Sequence, residues 1–135
     1  NELQANAFKM FGHFTGMAFQ IKDDLFDFGF GGAIGKPTGI DIRERKMTLP
    51  LIYALDRAAP SVKKQMISLI QNHNKEKQAI ARLVQFIVDS GGIEYAKTRM
   101  NQLAQQAQES LNDIPPSVYK DQLIKLLRYA IERTH

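Results

Sequence analysis

Phe14-Thr15-Gly16-Met17-Ala18-Phe19-Gln20-Ile21-Lys22-Asp23-Asp24-Leu25-Phe26-Asp27-Phe28 places Phe14, Ala18, Ile21, Leu25 and Phe28 at alternating four- and three-residue steps. Toward the N-terminus, Met10, Ala7 and Leu3 continue the same rhythm, so the spacing predicts one long helix over about 3–28. Its opening, Asn1-Glu2-Leu3-Gln4, shows neither an initiator Met nor a clear N-cap, and reads as a chain cut from something longer. The same period governs the rest of the chain. After a loop marked by Gly29, Gly31, Gly32, Gly35, Pro37 and Gly39, a second helix starts near Thr48, with Thr48 as cap and Pro50 in the first turn. It carries Leu51, Ile52, Leu55 and Ala58 and ends before Pro60. Further helices are expected over about 61–73, 75–90 and 93–112, separated by turn signals such as Gly91-Gly92. Pro115-Pro116 breaks the longest of these, and Ser117 caps a last one bearing Val118, Leu123, Leu126, Leu127 and Ile131. No segment has strand period. The expected fold is all-α, with about six helices.

A chain of 135 residues fits one domain at most. With 44% apolar and 24% charged residues it has the composition of an ordinary globular protein. Zero cysteines exclude a disulfide framework, an iron–sulfur cluster and a thiolate zinc site. No apolar run approaches the roughly 20 residues that span a bilayer, and no signal peptide opens the chain, so a cytoplasmic location is expected. The net charge of +4 comes entirely from residues 61–135, where basic side chains are scattered through helical patterns. That distribution describes a solvated surface, and no nucleic-acid partner is expected.

Opposite the apolar arc of the first helix lie Gly12, His13, Gly16, Gln20, Asp23, Asp24 and Asp27. A solvated acidic face is the ordinary reading of such an arc. Asp24 and Asp27, however, fall in the last turns of the helix, where the macrodipole is already negative, and Asp23 adds like-charge repulsion. Three carboxylates within five residues call for a countercharge. A hard divalent cation supplies one: magnesium takes one or two carboxylates, keeps several waters and completes its octahedron with phosphate oxygens. Asp23 and Asp27, at i and i+4, share a face about one turn apart. Within the next twenty residues come Asp41 and, with it, Lys36, Arg43, Arg45 and Lys46, two lysines and two arginines suited to a diphosphate gripped by metal from its other side.

Other local motifs fail. Phe30 and Pro37 stand where a Walker A loop needs Gly and Ser or Thr. An EF-hand begun at Asp23 would meet Leu25 and Ile34 at ligand positions. His13, His73 and His135 are far apart, and no HExxH occurs.

Gly16-Met17-Ala18-Phe19-Gln20-Ile21-Lys22-Asp23-Asp24-Leu25-Phe26-Asp27 resembles the second aspartate-rich motif of the trans-prenyl diphosphate synthases. Gly35-Lys36-Pro37-Thr38-Gly39-Ile40-Asp41 and Lys46-Met47-Thr48-Leu49-Pro50-Leu51-Ile52-Tyr53-Ala54-Leu55 are similar to the segment that comes after it in that family. The aspartate spacing alone is a weak signal; the three motifs in this order are specific together. Gly91-Gly92-Ile93 and Ala130-Ile131-Glu132-Arg133 extend the resemblance over essentially the whole chain, with bacterial long-chain members such as the octaprenyl diphosphate synthases resembling it most.

The resemblance implies the C-terminal half of an isoprenoid-synthase-type helical bundle, because the family's first aspartate-rich motif is not in this sequence. On that basis residues 1–135 are expected to be inactive alone. It further implies chain elongation. An allylic diphosphate ionises with magnesium held by both motifs, the alkene of isopentenyl diphosphate attacks the cation, and a proton is lost. By position, Asp23 is implied as a direct magnesium ligand, with Asp24 and Asp27 sharing ligation or holding bound water. Lys36 and Lys46 are implied to contact the diphosphate, so Asp23, Asp24, Lys36 and Lys46 form the catalytic set. Gln20 orients that shell and Asp41 adds an outer carboxylate, whereas Arg43 and Arg45 match no motif position. The bare Gly12/Gly16 strip, with Gly16 at a substrate-binding position, leaves room for a prenyl tail or permits close helix packing. The family also implies a homodimer and a membrane-partitioning product. Two alternatives stand beside this reading: a non-catalytic regulatory subunit of a heteromeric synthase, and an all-α interaction module with a basic surface.

Overall fold

A computed structural model describes residues 1–29 and 39–133. Among them are seven helices and no strand: α1 (Glu2–Phe26), α2 (Ile40–Arg43), α3 (Leu49–Arg57), α4 (Pro60–Asn72), α5 (Lys77–Asp89), α6 (Gly92–Glu109) and α7 (Val118–Glu132). The all-α expectation holds, and six of the seven helices lie where the periodicity placed them. The additional one, α2, has four residues, too few to display a period.

α1 is the spine. It packs most extensively along α6, with α7 and α3 against its flanks, while α5 covers α6 and α4 completes the outer layer. α6 suits this place because Ile93, Ala96, Met100, Leu103, Ala104 and Ala107 form a buried stripe that mixes small and large residues. The main core joins that stripe to Ala18, Ile21, Leu25 and Phe28 of the first segment and to Leu51, Leu55, Leu83 and Ile87. A second, smaller cluster of Phe11, Ala107, Leu111, Ile114 and Leu127 locks α1, α6 and α7 together at the other end. At the α3–α6 contact, Gly92 leaves no room for a side chain: a Cβ there would sit 2.5 Å from the Pro50 carbonyl oxygen.

Several local expectations change. Asn1 does cap α1, its side chain accepting the Gln4 backbone N–H at 2.8 Å. Ser117 caps α7 as expected, accepting from the Lys120 N–H at 3.1 Å. Thr48 takes the N-cap position of α3, but its side chain makes no capping bond. Five residues of the apolar pattern, Leu3, Met10, Ile52, Val118 and Leu126, remain exposed. The largest difference concerns the polar arc of α1. Asp24 and Asp27 are buried, at 6% and 9% exposure, because the starts of α3 and α2 pack against the end of α1.

Candidate functional site

The C-terminal end of α1 meets the N-terminal ends of two other helices. Asp27 grips the first: its Oδ1 accepts from the Ile40 N–H at 2.8 Å and its Oδ2 from the Asp41 N–H at 3.2 Å. Its own backbone carbonyl accepts the Gly39 N–H at 3.0 Å. Gly39 holds φ +79 there, and a Cβ would lie 2.5 Å from Ile80 Cγ2, so glycine is required on both counts. Asp24 reaches the second helix: Oδ2 accepts the Leu49 N–H at 3.4 Å, while Oδ1 accepts from Gln20 Nε2 at 3.0 Å. Thus Asp24 supplies the amide contact at the start of α3 that the Thr48 side chain does not.

Position on α1 made these carboxylates costly, since they lie at the negative end of its dipole. Position relative to α2 and α3 reverses the sign, because carboxylates are stabilised beside unpaired N-terminal amides. For Asp24 and Asp27, part of the countercharge sought from a cation is therefore supplied by backbone N–H groups. Asp23 differs. Its side chain is 50% exposed, and its Oδ1 lies 3.9 Å from Nη2 of Arg133, at the far end of the chain.

Lys46 completes the group, its Nζ 3.7 Å from Asp24 Oδ1 and 3.9 Å from Asp41 Oδ1. The connector is shaped to bring it there. Arg45 adopts a left-handed backbone (φ 57) just after α2, and the Lys46 N–H bonds the Asp41 carbonyl at 2.8 Å. Arg45 Nη2 donates to the Gln71 carbonyl at 3.0 Å, and the buried Asn74 side chain donates to the Arg43 carbonyl. The last turn of α4 and the residues just after it therefore brace a backbone conformation that an unsupported arginine would avoid.

One lysine does not balance this field. Burial pushes the Asp41 carboxyl above its ordinary range, the charges of Asp27, Asp24 and Asp23 push it further, and Lys46 alone opposes them. The Asp27 carboxyl is likewise raised by burial, against the lowering effect of the amides of Asp41, Ile40 and Gly39 and of Lys46.

Gln20, Asp23, Asp24, Asp27, Asp41 and Lys46 are thus gathered at one end of α1, as the motif spacing anticipated. Lys36, with Gly35, Pro37 and Thr38, lies outside the described residues, as does His135. Among the described residues no three acidic or histidine side chains already converge on one ion position. Arg43 is exposed and enters the site through its carbonyl. His13 packs edge-on against Phe14. Gly12 and Gly16 have open space where a Cβ would stand, which removes close helix packing within this chain as their reason. They line an apolar groove of about 510 Å³ between α1 and α7, with Phe11, Phe19, Leu126 and Tyr129 among its walls. Sequence reading missed Asn74 and the pairing role of Arg133; neither has a local signal, since their partners lie 31 and 110 positions away.

The polyprenyl synthetase family model matches residues 1–87, which include this entire end of α1 and its connector. The chain belongs to the polyprenyl synthetase family. Octaprenyl diphosphate synthase of Haemophilus influenzae is 30% identical over 135 residues, covering 99% of this chain and 41% of that enzyme. The decaprenyl diphosphate synthase structure from Rhodobacter capsulatus superposes with a TM-score of 0.89 at 30% identity, over 100% of this chain and 42% of its own. Geranylgeranyl pyrophosphate synthase of Corynebacterium glutamicum, solved with isoprenyl diphosphate and magnesium, gives 0.81 at 32% identity, over 98% and 38%. This polyprenyl synthetase chain therefore spans about two fifths of the length of these relatives. No described helix is long and apolar enough to cross a membrane.

Proposed function

We propose that this chain is the C-terminal portion of a prenyltransferase that condenses isopentenyl diphosphate with an allylic diphosphate, and that α1 carries one of its two metal-binding walls. The observation that carries this reading is the convergence of Asp24, Asp27, Asp41 and Lys46 where α1 meets α2 and α3, with the half-exposed Asp23 directly before Asp24 on α1. Magnesium fits the donor set: a half-exposed Asp23 carboxylate stands next in sequence to Asp24, whose Oδ1 shares the Lys46 amine with Asp41. Asp23 would hold the ion directly, and Asp24 and Asp27 would share ligation or bind its waters. When bound, the ion stabilises charge on a departing diphosphate.

The protein's own residues do the rest. Lys46, and Lys36 by its motif position, bind diphosphate oxygens. Gln20 fixes the Asp24 carboxylate. The Gly12/Gly16 groove gives an apolar tail space along α1, N-terminal to the charged end. A cytoplasmic location, a homodimeric complete enzyme and an inactive isolated chain belong to the same reading.

Thermal melting tests it. Magnesium with pyrophosphate is expected to raise the melting temperature of the chain, as any ligand of the folded state does. Asp23→Ala is expected to lose the shift. A shift that survives in Asp23→Ala would remove Asp23 from the site, and none in the wild type would reject the metal–diphosphate reading of this wall.

A further inference from the structure

Arg133 ends α7 with its side chain laid across α1. That side chain is only 9% exposed. Its Nε donates to the Ala130 carbonyl at 3.2 Å and its Nη2 to the Phe19 carbonyl at 3.4 Å. The guanidinium carbon stands 3.9 Å from the Phe19 ring centre and 5.0 Å from that of Phe26. Rings and carbonyls thus hold the cation in addition to its contact with Asp23. Asp23, by contrast, touches it at 3.9 Å from the solvent side and is itself half-exposed. The carboxylate can leave this pair while the arginine stays in place.

The charges around Arg133 give that pair a direction. Lys22, on the same turn of α1, has its Nζ 5.6 Å from the centre of the Phe26 ring that Arg133 also faces. Two cations therefore share one side of the α1 terminus, while Asp24 and Asp41 share Lys46 on the other. Asp23 sits on the boundary.

We propose that Arg133 is a positioning residue acting through Asp23: a resident counter-ion that holds the Asp23 carboxylate until a divalent cation takes it. The inference rests on the reading of Asp23 as a metal ligand. Arg133 then lowers the affinity of the chain for a bare divalent ion, because the ion must break the pair and approach a fixed positive charge. It remains docked on Phe19 and Phe26 afterwards, so release changes the charge next to the site without unfastening α7.

Magnesium binding to the full chain, measured by calorimetry at low ionic strength, tests this together with the Arg133 Nε–Hε signal in NMR. Arg133→Met is expected to bind magnesium about two- to fivefold more tightly, the range that loss of one partly exposed pair allows. Arg133→Lys is expected to stay near the wild type. Saturating magnesium is expected to move the Arg133 signal, and Asp23→Asn to move it in the same direction without metal. A merely structural arginine would instead weaken metal binding when removed. Equal or weaker binding by a folded Arg133→Met overturns the proposal while leaving the metal reading intact. Absence of magnesium binding in both proteins overturns the metal reading and the proposal with it. Should Arg133→Met fail to fold, an Arg133 signal identical in the wild type and Asp23→Asn is the overturning result.

Discussion

The Asp27 carboxylate fastens the start of α2: Oδ1 accepts the Ile40 N–H at 2.8 Å, thirteen residues further along the chain. With Oδ2 on the Asp41 N–H, both oxygens serve a helix that has no side-chain cap of its own. Asp27→Ala is expected to cost about 0.5–2 kcal/mol, the range for a lost N-cap. Urea unfolding measures the loss, and hydrogen exchange at the Ile40 and Asp41 amides is expected to accelerate more than exchange in α6. Equal protection at those two amides would refute the capping role.

Asp23 and Asp24 are neighbours in sequence but not in consequence. Asp24 is buried and bonds Gln20 and the Leu49 amide, so Asp24→Ala is expected to destabilise by about 1–3 kcal/mol through the groups left unpaired. Asp23→Ala is expected to cost no more than about 1 kcal/mol, as for a partly exposed ion pair. Paired denaturation curves at fixed ionic strength check the contrast; equal losses would contradict it.

Two glycines give opposite expectations. Gly92→Ala places a Cβ 2.5 Å from the Pro50 carbonyl oxygen and 3.0 Å from Ile87 Cγ2, and backbone cannot step aside. A cost of about 1–3 kcal/mol is expected from the overpacking. Gly16→Ala meets nothing within 4 Å and sits inside α1, so it is expected to stabilise by about 0.5–1 kcal/mol. Thermal melts of the two variants decide the matter. In a complete synthase, Gly16→Leu is further expected to shorten the product or slow elongation, and unchanged product length would reject a prenyl tail in the groove.

The raised Asp27 and Asp41 carboxyls set a pH dependence in the metal-free chain. The folded state keeps these protons to higher pH than the unfolded state, whose value is near 3.8. Stability from these groups is therefore full below 3.8 and lost as pH rises through their folded values. Asp41→Asn removes the part due to Asp41. Relative to the wild type, it is expected to melt higher at pH 7 than at pH 3.5. A stability difference independent of pH would show that Asp41 carries no such penalty.

Most of the fold was legible because each helix announces itself locally. Ala96, Met100, Leu103 and Ala107 lie on one face of α6 whatever surrounds it, and all four are buried. α2 was not legible, being held by Asp27 from outside rather than by its own four residues. Of the candidate site, the gathering of Asp23, Asp24, Asp27, Asp41 and Lys46 could be read from motif order. The division of labour among them could not. A helical wheel sets Asp24 and Asp27 on a polar arc, but only neighbouring helix ends turn that arc into an interior.

Sequence by itself determined that this chain is a set of amphipathic helices with an aspartate-rich end and a lysine-bearing connector after it. Tertiary structure decided what those aspartates face. Asp27 finds amides thirteen and fourteen residues away, Asp24 one at twenty-five, and Asp23 a guanidinium from the other end of the chain. Hydrophobic period is a property of one helix and survives in any context. The partner of a carboxylate depends on which helix ends are brought together, and that is decided only when α1 has packed against α6, α3 and α7.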